Sequence, residues 1–119
     1  MARYDKYDPI SGGFRAPLAV ALDGSNAGIP LGVGLDVNGR AVKGAGSTGV
    51  LGVLVIDAAK PAGEVVDVMT QGEIVEVEDL DAGTVVYADG TAGALGTDNT
   101  DVRVGHTVEA SRLVVRLAP

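Results

Sequence analysis

The chain has 119 residues, no cysteine and a formal net charge of −7; 46% of it is hydrophobic, 3% aromatic, and 18 residues are glycine. That length holds one domain with a core that needs no covalent staple, and the missing thiols exclude disulfides, thiolate catalysis and cysteine-ligated metals. No apolar run reaches the length of a membrane span and the first residues lack the apolar stretch of a signal peptide, so a soluble protein made in a cytoplasm, with no membrane partner, is expected.

Residues 1–16 read as an extended N-terminal arm. They carry Tyr4, Tyr7 and Phe14, three of the four aromatic residues, and Tyr87 is the fourth. Arg3, Lys6 and Arg15 stand against Asp5 and Asp8, while Pro9 and Gly12-Gly13 oppose regular structure. Aromatic side chains bury much area at low entropic cost and normally fill a core. Concentrated in a polar arm, they are suited to meeting another surface.

The body is expected over 17–119. Residues 17–22 predict a first strand, closed by Asp23-Gly24-Ser25-Asn26. Residues 31–37 and 40–43 flank Asn38-Gly39, a strong hairpin signal. The run Gly49-Val50-Leu51-Gly52-Val53-Leu54-Val55-Ile56 suits a strand buried on both faces. Residues 64–69 and 73–78 follow on either side of a turn at Gln71-Gly72. The second shows acid-out, apolar-in alternation through Ile74, Val75 and Val77. Residues 83–88, 102–108 and 112–117 complete the set. Seven to nine short strands at roughly ten-residue spacing predict an all-β fold, a small barrel or sandwich.

Charge is uneven along this body. Residues 57–101 hold eleven acidic residues against one base, Lys60. Such a surface repels nucleic acid and anionic membranes, and most of these acids serve solubility.

No catalytic constellation emerges. The only imidazole, His106, falls inside a predicted strand, and a hydrolase or isomerase would need a polar pocket around it. Asp36-Val37-Asn38-Gly39 reads as a turn and Asp98-Asn99-Thr100-Asp101 as an Asx-rich loop; neither supplies the ligand set of a calcium loop. Gly32-Val33-Gly34 and Gly44-Ala45-Gly46 lack the strand-to-helix context of a phosphate cradle. Residues 63–86 are similar to half of a biotinyl or lipoyl hammerhead, but Thr70-Gln71-Gly72 offers no modifiable lysine. No cofactor or metal is expected, and no enzymatic activity.

The order of segments resembles the small all-β decoration (cement) proteins on the heads of tailed bacteriophages. The resemblance rests on the arm Tyr4-Asp5-Lys6-Tyr7-Asp8-Pro9-Ile10-Ser11-Gly12-Gly13-Phe14-Arg15 and the Gly-rich apolar run 49–57. It continues through Gly63-Glu64-Val65-Val66-Asp67-Val68, Ala82-Gly83-Thr84-Val85-Val86-Tyr87, Val104-Gly105-His106-Thr107-Val108 and Val114-Val115-Arg116-Leu117. It implies a virion protein on the outer face of the expanded capsid, bound to the major capsid protein and trimeric at local threefold positions. The implied contact residues are Arg3, Tyr4, Lys6, Tyr7, Pro9, Ile10, Phe14 and Arg15. The alternative is a head-surface adhesion module binding a host glycan or receptor, which would need exposed aromatics on the body, where Tyr87 alone is available.

Overall fold

A computed structural model describes residues 12–75, 81–109 and 112–117. Among these residues the protein is a small β sandwich of ten strands in two five-stranded sheets. The first sheet contains β1 (Gly13–Pro17), β2 (Leu31–Leu35), β3 (Ala41–Gly46), β4 (Gly52–Leu54) and β5 (Val65–Met69), in the order β1-β5-β4-β2-β3. The second contains β6 (Gln71–Val75), β7 (Val85–Ala88), β8 (Leu95–Gly96), β9 (Val102–Glu109) and β10 (Arg112–Arg116), in the order β6-β10-β9-β7-β8. One 3-10 turn, Gly24–Asn26, is capped by Asp23, whose carboxylate accepts Ser25 N at 2.9 Å.

The first sheet bends back on itself. Its two edge strands meet just past β1, where Leu18 bridges Ala41 and Ala19 N donates to Ala41 O at 3.0 Å. The resulting half-closed barrel wraps Ala16, Leu18, Leu22, Val33, Ala41, Leu54, Ile56, Val66 and Val68. A second core fills the space between this sheet's outer side and the second sheet. There Val50 and Val53 pack with Val86, Ala88, Val104, Leu113 and Val115, the last five all inaccessible to solvent. Burying a Val or Leu side chain in this way contributes about 1.5–3 kcal/mol.

β4 has fully buried residues in both cores. All three of its residues are buried, Leu54 facing the first core and its neighbour Val53 the second. This is the two-sided burial predicted from the unbroken apolar run.

Several local expectations are corrected, among them the first strand expected over 17–22: beyond Pro17 that span makes only isolated bridges, Leu18 to Ala41 and Leu22 to Lys60. Gly13–Pro17 form β1, paired antiparallel with β5 from Gly13–Met69 to Pro17–Val65. The last four residues read as arm therefore belong to the sheet. Gly-Phe-Arg-Ala alternates, with Phe14 and Ala16 packed on the first core and exposed Arg15 on the other side. Pro17 is tolerated because β1 is an edge strand, which needs no second donor.

The turn at 36–40 forms as predicted, closed by Asp36 N donating to Arg40 O at 2.9 Å. Beyond it, β2 and β3 do not make a plain antiparallel hairpin. Their ladder is parallel in sense and shifts register at both steps (Val33–Gly44, Gly34–Val42, Leu35–Gly46). Gly44 and Gly46 take φ of 85° and 56°, which bends β3 out of regular pairing.

Gln71-Gly72 is strand and not turn. The chain runs from β5 through Thr70 directly into β6, passing from one sheet to the other. Thr70 N donates to Gly12 O at 3.0 Å in the first sheet, and Thr70 O accepts from Leu117 N at 3.1 Å beside the second. On β6, Ile74 packs on the second core, but Val75, expected to face inward, is 66% exposed, because neighbouring strand residues point to opposite faces.

Candidate functional site

Gly12, the first described residue, leads into β1. The carbonyl of Gly12 accepts Thr70 N at 3.0 Å and Gln71 N at 3.3 Å, which pins the chain at the crossing between the two sheets. β1 then follows as the edge strand of the first sheet, and β6 is the edge strand of the second. Between these edges lies a groove of about 930 Å³. Its apolar lining comes from Phe14, Val53, Val55, Met69, Ile74 and Val75. Val53, Met69 and Ile74 also belong to the second core, so the groove is where that core opens to solvent. Strand edges expose unpaired backbone donors and acceptors, and two edges flanking an apolar trough can receive an extended peptide.

Charged groups line the rim. Arg15 Nε donates to Asp67 Oδ1 at 2.8 Å across the β1–β5 pair, with both side chains more than three-quarters exposed. An exposed pair of this kind contributes little to stability, about 0–1 kcal/mol, so a partner can redirect it at small cost. Glu73 Oε1 accepts from Arg112 Nη1 at 3.2 Å on the second sheet.

Of the eight residues read as contacts, Phe14 and Arg15 lie in β1 beside this groove. Phe14 is half-buried against the first core, so its ring is shared between fold and groove wall. Arg3, Tyr4, Lys6, Tyr7, Pro9 and Ile10 lie outside the described residues. The groove walls Val53, Met69 and Ile74 escaped the sequence reading. Each looks like an ordinary strand residue, and nothing local marks where a core opens.

The other sequence candidates fall elsewhere. His106 is exposed on β9, opposite Val114 of β10 and Val85 of β7. Tyr87 is half-buried on β7, opposite Arg103. Asp98 makes the predicted Asx turn, its carboxylate accepting Thr100 N at 3.0 Å and Thr100 Oγ1 at 2.8 Å. Those hydrogen bonds hold the Asp98 carboxyl below its ordinary value, whereas desolvation, then Asp98 and Asp89, raises that of Asp101. Among the described residues no group of three or more His, Asp and Glu side chains is placed to hold a metal. No described helix is long and apolar enough to cross a membrane.

No protein-family model matches the chain, and no curated protein matches it either. A solved structure from Mycobacterium phage Patience is similar in fold. It aligns with a TM-score of 0.82 at 21% identity, over 96% of this chain and 95% of that one. The likeness spans both sheets and shows that this strand arrangement is adopted by another natural chain.

Proposed function

We propose that the protein is a non-enzymatic structural component of a tailed-phage virion. It binds the outer surface of the expanded capsid through its N-terminal segment and strengthens contacts between major capsid subunits, as a trimer at local threefold positions. The observation that carries this reading is the rooting of that segment. The aromatic-rich stretch runs into an edge strand that is hydrogen-bonded at Gly12 and packed through Phe14, beside an apolar groove between two sheet edges. A tether anchored in a sheet transmits load to the whole body, which a capsid staple requires. The similar fold of a structure from a mycobacterial phage supports the phage part of this reading. Three segments on one trimer would act together, each raising the effective concentration of the next.

The test is saturable binding to expanded capsids lacking their decoration, measured for the full chain and for a chain without residues 1–11. Starting the shortened chain at Gly12 keeps β1 whole, so loss of binding reports on the segment and not on unfolding. Equal binding by both chains refutes the role of the segment.

A further inference from the structure

Among the described side chains, the outer side of the second sheet carries three arginines against one glutamate, the reverse of the charge balance of the protein as a whole. On β10, Leu113 and Val115 face the second core, so Arg112, Val114 and Arg116 face outward. Their partners on β6 are Val75, Glu73 and Gln71. Val114 also pairs with His106, which pairs with Val85. Adjacent Val104 and Gly105 are both buried at the register shift between Val86 and Tyr87, so Arg103 and His106 both emerge outward, Arg103 opposite Tyr87. One face thus collects three of the nine Lys and Arg residues and the only histidine of a chain with net charge −7.

Among the described side chains of this face the one carboxylate is Glu73, and Arg112 pairs with it. Arg103 and Arg116 are exposed, with no carboxylate among the described residues in ion-pair range. Between the arginines lie half-buried Val85, Val114 and Tyr87, and exposed Val75. Arginine and tyrosine interleaved with aliphatics, with no lysine, is the composition of protein–protein contact surfaces. Guanidinium groups grip carboxylates in a two-pronged fashion that an ammonium cannot reproduce.

We propose that this face docks a carboxylate-rich protein surface, a second contact beyond the groove and the N-terminal segment. Charge complementarity selects the partner: the arginines attract carboxylates, while the acidic remainder of the chain repels the dense charge of nucleic acid. Identifying that partner as the capsid shell rests on the function proposed above; the docking chemistry does not.

The probe is a fluorescein-labelled poly-L-glutamate 20-mer, titrated with the full chain at low and physiological salt and read by fluorescence anisotropy. Arg103→Glu/Arg116→Glu is compared with Lys43→Glu, which reverses an exposed charge on the first sheet. Arg103→Gln/Arg116→Gln serves if charge reversal disturbs the circular dichroism spectrum. Salt-weakened binding is expected, reduced at least about tenfold by either double variant and less than about twofold by Lys43→Glu. No binding by the unaltered chain, or equal loss with Lys43→Glu, overturns the proposal. Tighter binding of a thymidine 20-mer than of polyglutamate assigns the face to nucleic acid and overturns it also. Self-association abolished by the double variant assigns the face to a second copy, with the same consequence. Failure of the unaltered chain to bind expanded capsids refutes the proposed function alone.

Discussion

Gly32 sits where the two sheets are stitched together, and adding one methyl group there should weaken the whole molecule. Its N–H donates to Gly93 O at 2.7 Å, and Leu31 next to it bridges Ala94. A Cβ at position 32 would stand 2.5 Å from the Ala88 Cβ and 3.2 Å from Val50 Cγ1. Carbon atoms in contact prefer about 3.5–4.0 Å, so the deficit at Ala88 is about 1.0–1.5 Å. Ala88 is fully buried in a paired strand and cannot rotate away. Relief must come from parting the sheets, which stretches the Gly32–Gly93 hydrogen bond. Overpacking costs about 1–3 kcal/mol, and a weakened buried hydrogen bond about another 1 kcal/mol. Gly32→Ala should therefore lose about 2–4 kcal/mol, read from the urea midpoint by circular dichroism with unchanged slope. Ala88→Gly should be mildly destabilising alone yet recover at least about 1 kcal/mol in the double variant, because it removes the colliding methyl. A Gly32→Ala protein within about 0.5 kcal/mol of the parent, or a double variant whose losses simply add, would refute the steric account.

The chain lacking residues 1–11 should keep the parent circular dichroism spectrum and melting temperature to within a few degrees. The chain lacking 1–15 should melt lower because it loses most of β1 and uncovers Val66 and Val68; equal melting of both would contradict the placement of β1. Thr107 is 1% exposed, and its hydroxyl donates to Asp81 O and accepts Thr84 N at 2.9 Å. Thr107→Val should cost about 1–3 kcal/mol by chemical denaturation, and a neutral result would mean those groups find other partners. The Asp36 carboxyl is held below its ordinary value of 3.8, chiefly by the N–H of Arg40 and further by Asn38 N and the Arg40 guanidinium. Its contribution is therefore complete above that value and fades as pH falls through and below it. Asp36→Asn should narrow the drop in urea midpoint between pH 7 and pH 3, and an unchanged drop would remove Asp36 from the acid response.

Much of the architecture could be read from the residue pattern. The unbroken run through β4 marked a strand covered on both sides, and Asp36-Val37-Asn38-Gly39 and Asp98-Asn99-Thr100-Asp101 announced their turns through side chains that bond their own backbone. What escaped the reading depended on distant partners. The aromatic content of Gly13-Phe14-Arg15-Ala16 drew attention from its alternation, which becomes a strand only because β5 offers an edge. Thr70-Gln71-Gly72 has the composition of a turn, yet Gly12 and Leu117 supply hydrogen bonds that keep it extended. β8, two residues long, leaves almost no periodicity to detect. The groove could not be foreseen, because it arises where two edges fail to meet, a relation between segments sixty residues apart in sequence.

Consecutive side chains of β4, Val53 and Leu54, serve opposite interiors. Sliding that strand by a single position would misdirect both at once, so each half of the molecule checks the alignment of the other during folding. The two halves are thereby bound to a shared evolutionary fate. An insertion within β4 that suited one interior would spoil its neighbour, and length changes should collect in the connecting loops instead.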